Sequence, residues 1–469
     1  MKKSSDKKID RRQLLKLLGA GAATSATALY GCDSRKKTVS GGANIGEVPT
    51  DKMTYRVTPS TGDKVSLLGY GCMRWPLKPK AGSTKAKGVE MEIDQEAVNE
   101  LIDYAIAHGV NYFDTSPRYV RGMSERATGI ALSRHPRDKY FIATKMSNMG
   151  NDPKLLSREG SIAMYRNSMK ELKVDYFDYY LLHAIGIGGM DALNKRYYDN
   201  GILDFLLKER EAGRVRNLGF SYHGDIKVFD YLLATGIKWD FVQIQLNYLD
   251  WKHATGWNTN AEYLYGELLK RNIPAVIMEP LLGGRLAKMN FHALTLLNQL
   301  RSEASPASWA FRYAGSPANV LTVLSGMVYM EHLQENIRLY SPLEPITERE
   351  NKVLEEVAEI VLKYPYVPCT ACQYCMPCPY GLDIPATFTH YNRCLSEGNI
   401  PSSSQDPDYR RARRAFLIGY DRSVPKLRQA SHCIACGKCT PHCPQRIQIP
   451  QEMARIDKFT EQLKQGGSF

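Results

Sequence analysis

YFIATKM (140–146), SIAMYRNSMKELK (161–173) and YFDYYLLHA (176–184) follow one another along the chain. The first and third are short apolar runs rich in β-branched and aromatic residues, and the middle one repeats its apolar positions at helical spacing, so they read as strand, helix, strand. The same alternation extends in both directions. Before it, a hairpin (TYRV, 54–57, then KVSLLG, 64–69) leads into VSLLGYG with the helix DQEAVNELIDYAIAHG, and then NYFDTS with SERATGIAL. Asp94 stands where it would cap the first of those helices. After it, YFDYYLLHA pairs with ILDFLLKEREAG, VRNLGFSY with IKVFDYLLATG, FVQIQLNY with AEYLYGELLKRN, AVIMEPL with PASWAFRYAG, and NVLTVLSGM with EHLQENIRLY. Unbroken alternation builds a parallel sheet. Eight strand-helix pairs close most naturally into an α/β fold of the TIM (β/α)8 barrel type, with its active site where strands end and the following loops begin. No G-x-G-x-x-G follows the first strand, which makes a doubly wound nucleotide fold the weaker reading.

The 469 residues, 43% hydrophobic and 24% charged, have the composition of a globular protein with a full core. The formal charge of +13 names no partner, because residues 1–31 alone carry seven Lys/Arg against two Asp, leaving +8 for the rest. Eight closely spaced cysteines near the C-terminal end, if they bind metal as thiolates at about −2 per four, would bring that to roughly +4, so no nucleic-acid partner is expected. The first 32 residues form a targeting segment: a basic front, Arg11-Arg12, then a weakly apolar stretch too short and too polar to span a bilayer. DRRQLLK resembles a twin-arginine export signal, and LYGC resembles a lipoprotein cleavage site with Cys32 as the lipidated residue. That implies an exported, periplasmic or cell-envelope protein, with Cys32 as the candidate site of a lipid anchor. Residues 33–53 read as a flexible tether, 54–340 as the barrel, 341–364 as a linker helix opened by a Thr347/Glu350 capping box, and 365–469 as a separate cysteine-rich domain.

The strand ends carry the chemistry. Strand 2 ends in FDTSPRY with Asp114 and Tyr119, strand 3 in ATKM with Lys145, and strand 4 in YYLLHA with His183. A lysine ammonium beside a tyrosine lowers the phenol's pKa, and a neighbouring histidine can polarise a carbonyl oxygen. Each residue alone has a bland reading as barrel-mouth packing or ion pairing. Four on consecutive strand ends make a proton donor aimed at a carbonyl.

With GVNYFDTSPRY, SERATGIAL, the ATK, the LLH, GRVRNLGFS and HLQEN in view, residues 54–340 resemble the aldo-keto reductase family. The resemblance implies an NAD(P)-dependent oxidoreductase, with Tyr119 as general acid/base, Lys145 lowering its pKa, Asp114 as the partner of that lysine, and His183 orienting a small carbonyl or alcohol substrate. It also implies Ser221 and Gln243 at the nicotinamide carboxamide, Met278 where the family often stacks a tyrosine, Ser325 and Gly326 in the cofactor loop, and Glu335 and Asn336 near the adenine. The loop SGMVYMEHLQEN lacks the Lys and Arg that commonly grip a 2'-phosphate, so the cofactor is NAD or NADP.

CTACQYCMPCP (369–379) and CIACGKCTPHCP (433–444) are a different kind of signal. The second has the C-x2-C-x2-C-x3-C-P spacing of bacterial ferredoxins, and the first is one residue shorter before its fourth cysteine. A turn with three thiolates two residues apart wraps three corners of a 4Fe-4S cubane, while the fourth cysteine serves the other cluster. The expected sets are Cys369, Cys372, Cys375 with Cys443, and Cys433, Cys436, Cys439 with Cys378. CPYGLDIP and CPQRIQIP repeat as CP-x4-IP, each final proline suited to open a helix. The region between is helical in pattern, so the domain resembles a small α-helical, ferredoxin-like two-cluster module. Zinc would want two separated cysteine pairs. Cys72 and Cys394 fit neither run and read as buried packing.

Three functions remain open on the sequence: an oxidoreductase whose clusters exchange electrons with a redox partner protein or membrane electron carrier, the same enzyme with structural clusters, and an electron carrier with a retired barrel. Hydride moves two electrons and a cluster moves one, and no flavin signature is present to split the pair. Trp251 and Trp257, after strand 6, are candidates to stack a sugar or another ringed ligand.

Overall fold

A computed structural model describes residues 47–82, 90–150, 152–255, 258–289, 291–363, 365–401 and 403–466. Arg11, Arg12, Cys32 and Trp257 lie outside the described residues. Eight strands, β1 (Leu68–Gly71), β2 (Tyr112–Asp114), β3 (Phe141–Met146), β4 (Phe177–Ile185), β5 (Val215–Tyr222), β6 (Phe241–Gln245), β7 (Ala275–Met278) and β8 (Val320–Ser325), are all parallel and close into a barrel. The expected TIM barrel is therefore the observed fold.

Alternation along β4 shows how the strands divide their side chains. Tyr179 and Leu181 join Tyr112, Ala143, Phe241, Val276 and Leu321 in the barrel's interior core, while Tyr180 and Leu182 join the larger cluster under the helices. The hairpin of Tyr55–Val57 and Lys64–Ser66 adds Val65 to the interior core, and Thr58 Oγ1 lies 2.6 Å from the Tyr179 hydroxyl. That closes the end of the barrel where the strands begin and leaves the other end as a mouth.

Three local details depart from the sequence reading. Asp94 stands at the N-cap of Gln95–Ala107, but its carboxylate makes no capping bond and pairs with Lys78 Nζ at 3.2 Å. Lys78 belongs to an unforeseen antiparallel pair, Leu77–Pro79 with Met91–Ile93, inserted between β1 and its helix. The seventh unit carries an additional helix, Phe291–Leu300, ahead of Pro306–Gly315.

Beyond the barrel, the Thr347/Glu350 capping box opens the helix Glu348–Leu362. Glu350 also binds Arg301 and Arg312, and Leu354, Val357 and Ala358 bury that helix against barrel residues including Leu297 and Trp309. Three helices, Ile384–Ser396, Tyr409–Ser423 and Ile449–Gln465, surround a further core of Ile384, Phe388, Phe416, Ile449, Met453 and Ile456. Pro385 and Pro450 sit in the first turns of two of them, where a missing N–H costs nothing. No helix among the described residues is long and apolar enough to cross a membrane.

Candidate active site and cluster sites

The barrel brings the four strand-end residues together. Lys145 is fully buried and donates from Nζ to Asp114 Oδ2 at 2.5 Å and to the Thr115 carbonyl at 2.9 Å. Its ammonium lies 5.2 Å from the centroid of the Tyr119 ring, and that ring meets His183 edge-on at 6.1 Å. Tyr119 opens a tight turn in which Val120 and Arg121 adopt φ of 49° and 55°, a left-handed geometry that is costly for a β-branched residue. His183 stands between two hydroxyls, with Ser147 Oγ 2.6 Å from Nδ1 and the Tyr374 hydroxyl 3.2 Å from Nε2.

The electrostatics differ from the simple expectation for Tyr119. Burial raises its phenol pKa well above the usual value, and Asp114 and Tyr374 add to the rise. The lysine does not reverse this, because its positive charge is spent on Asp114 at contact distance. Burial drives Lys145 down and Asp114 up, each effect opposed by the partner's charge. His183 is held neutral, first by burial and then by Lys145 and Arg196. The site is therefore set to hold its phenolic proton and present an uncharged imidazole.

Asp114, Tyr119 and His183 line a cavity that also takes in Ser221, Gln243, Met278, Ser325 and Gly326. These fit a nicotinamide carboxamide. Gln243 Oε1 is buried with no hydrogen-bond partner, and Ser221 Oγ accepts from the Ala184 N–H, which leaves its own proton to donate. Glu335 and Asn336 are not brought to the cavity: Glu335 is exposed and accepts from Ser305 Oγ, and Asn336 Nδ2 donates to Ser325 Oγ at 3.0 Å. Trp251 is also elsewhere, packed on Tyr265 and Tyr313. Sequence reasoning missed Arg74, His223 and Glu279, all of which line the cavity.

Cys369, Cys372, Cys375 and Cys443 surround one small cavity with Phe388 and Ile447. Cys378 and Cys433 are the sulfurs that add to the burial-driven rise of the Cys439 thiol. The four sulfurs of the first expected set thus line one cavity, and Cys378, Cys433 and Cys439 of the second stand near one another. Both loops share one backbone pattern: Ala371 and Gln373 have φ of 53° and 65°, and Ala435 and Gly437, at the matching positions, 56° and 72°. That winding turns backbone N–H groups inward, and Ala371 N donates to Cys369 Sγ at 3.4 Å. Four thiols around one small cavity, with N–H donors aimed at sulfur, suit a cubane. Cys72 and Cys394 are buried as packing.

The two sites share a wall. Thr370, Cys372 and Tyr374 of the first cluster loop, with Pro444 and Gln445 after the second, line the same cavity as Tyr119 and His183. Arg74 donates to the Thr370 carbonyl, Asn258 Nδ2 donates to Gln445 Oε1 at 2.7 Å, and Arg118 lies over the Tyr374 ring. Gly283, at φ 67°, permits the closest approach, since a Cβ there would fall 2.5 Å from Thr370 Cα. Gly283→Ala is expected to destabilise the protein by about 2–4 kcal/mol through left-handed strain plus the clash. Gly284→Ala, at φ 96° with nothing within 4 Å, should lose only the strain. Equal losses for the two in denaturant melts would show that the Thr370 contact contributes nothing.

Comparison with known proteins fits this geometry. The Aldo/keto reductase family matches residues 68–359, and a 4Fe-4S dicluster domain matches residues 368–448. The chain is 25% identical to L-galactose dehydrogenase of Arabidopsis thaliana over 328 residues, which cover 66% of this chain and 95% of that protein. It is 38% identical to D-arabinose 1-dehydrogenase of Saccharomyces cerevisiae over 92 residues, 19% of this chain and 27% of that one. An aldo-keto reductase from Bacillus halodurans, solved in its holo form, superposes with a TM-score of 0.48 at 22% identity, covering 65% of this chain and 96% of its own. The family match spans more than half of the chain and takes in every strand from β1 to β8, so the protein belongs to the aldo/keto reductase family.

Proposed function

We propose that this oxidoreductase transfers hydride between NAD or NADP and a carbonyl or alcohol substrate, and exchanges the electrons with two 4Fe-4S clusters. The observation that carries the reading is the common cavity of Tyr119, His183, Cys372 and Tyr374. Tyr119 gives a proton to the carbonyl oxygen or takes one from the alcohol. Neutral His183 orients that oxygen, while the Lys145–Asp114 pair keeps a fixed charge distribution beneath the ring. Ser221 and Gln243 would hold the carboxamide, and Met278 would supply an apolar wall for the bound cofactor. Bound there, a nicotinamide would supply or take the hydride and each cluster would move one electron, so a step that splits the electron pair stands between the two. The ligand sets are the crossed ones, Cys369/Cys372/Cys375/Cys443 and Cys433/Cys436/Cys439/Cys378.

For the substrate class, Arg74, His223, Glu279 and Gln445 make the cavity rich in hydrogen-bonding groups. A hydroxylated carbonyl compound such as a sugar fits that lining, and both relatives named above are sugar dehydrogenases by name. Export by the twin-arginine route, with Cys32 as a lipid anchor, belongs to the same proposal on sequence alone.

The test is anaerobic addition of NADH or NADPH to holo-protein with oxidised clusters. One equivalent should bleach the cluster absorbance of both clusters and give their reduced electron-spin resonance signals. Clusters that respond to dithionite but ignore both dinucleotides would confine them to holding the cavity wall.

A further inference from the structure

We propose that the surface around Cys433, Cys436 and Cys439 is a docking site for a small acidic one-electron carrier protein, an inference that rests on the reading that electrons leave through the clusters. The two cluster sites face different surroundings. Cys372 lines the barrel-mouth cavity, whereas Cys436 is exposed. Large apolar side chains are exposed close along the chain to ligands of this cluster: Leu427 is 80% exposed, Ile434, between Cys433 and Cys436, 59%, and Tyr380, two residues from Cys378, 47%.

The charge of the chain is concentrated in the same stretch. Residues 409–446 hold nine Lys/Arg and one Asp, a surplus of +8. With the +5 of residues 1–31, this accounts for the entire formal charge of +13, and every other part of the sequence together balances to zero. The one acid, Asp421, accepts from Gln429 Nε2 at 2.9 Å. Arg411 pairs with Asp408, and Arg413 donates to the last carbonyls of the helix Ile449–Gln465, so these two have work within the fold. Arg410, Arg414, Arg422, Lys426, Arg428 and Lys438 are exposed and take part in no ion pair among the described residues.

Crowding like charges costs folding free energy, and none of these six cations recovers it within the chain. Exposed Leu427, Ile434 and Tyr380 together with unpaired cations of the same stretch have the make-up of a transient, electrostatically steered interface. A carrier whose acidic face surrounds its redox centre would be steered to the one cluster ligand that reaches the surface. Each encounter moves one electron: the iron site loses it and the carrier's centre gains it. Two encounters clear the two electrons of one hydride, whose proton passes to water.

The test uses full-length holo-protein, with an oxidised flavodoxin as the acidic probe. Calorimetric titration at low salt should show binding that weakens at least tenfold when ionic strength rises past the level where the screening length falls below about 10 Å. Lys426→Glu with Arg428→Glu should abolish binding, and the milder Arg422→Glu should weaken it, with iron content and dinucleotide affinity unchanged in both. Salt-insensitive binding, or variants that bind like the wild type, would overturn the proposal. So would wild-type protein that ignores flavodoxin but is captured by phosphatidylglycerol vesicles through the same cations, which would assign the surface to a membrane. Methyl viologen separates the two levels of the reading. Reduced protein that passes electrons to viologen but does not bind flavodoxin loses only the docking site, while protein that passes electrons to neither loses the electron-exit reading as well.

Discussion

Tyr119→Phe is expected to lower carbonyl reduction by about 10²–10⁴-fold, the usual contribution of a positioned proton donor, while leaving dinucleotide affinity unchanged. The substitution removes one oxygen and keeps the ring that Lys145 and His183 pack against. His183 cannot substitute as the acid, because burial and two nearby cations hold it neutral. Since the phenol's pKa is raised, the acid form persists across the neutral range, and the base form needed for alcohol oxidation appears only as pH climbs. The wild type should therefore reduce carbonyls over a broad pH range and oxidise alcohols faster with rising pH, and the variant should lose that rise. Single-turnover kinetics with bound dinucleotide check both halves. Retained reduction within tenfold of wild type would remove Tyr119 from the role.

Cys375→Ser and Cys378→Ser, three positions apart, are expected to destroy different clusters. Each should keep about four of about eight irons, with a different resonance signal surviving in each. The consequences for the barrel should also differ. Cys375 belongs to the set around the cavity that Cys372 and Cys443 line, next to Tyr374, so its loss should loosen the wall of the catalytic cavity and weaken dinucleotide binding. Cys378 neighbours Cys439, on the exposed side, so its loss should leave dinucleotide binding intact. If both variants abolish one and the same signal, the crossed ligation fails.

The barrel was legible because its signals are local: each strand and helix carries its own period, and the catalytic residues fall at strand ends by position alone. The cluster loops were legible for the same reason, as cysteine spacing survives any fold. What the sequence could not carry is contact between distant segments. Nothing in ACQYC marks Tyr374 as a neighbour of His183, 191 positions away. The glycine pair at 283–284, directly after strand 7, was the one available hint that a backbone comes close there. The sequence named Asp114 as the partner of Lys145 but could not show that the pair is fully buried and 2.5 Å apart, or how strongly burial raises the Tyr119 phenol. Nor could the sequence show that Asn336 donates to Ser325, which lines the cavity.

The catalytic cavity of this protein borrows its outer wall from Thr370, Cys372 and Tyr374, in the last quarter of the chain. Synthesis therefore delivers all eight strands and the full catalytic set well before the residues that complete the cavity wall. On the proposal that iron-sulfur clusters shape that loop, a chain made under iron shortage would carry a finished barrel with an incomplete mouth. The appearance of a working enzyme would then follow the cell's mineral supply at the moment of manufacture, with no separate inspector required.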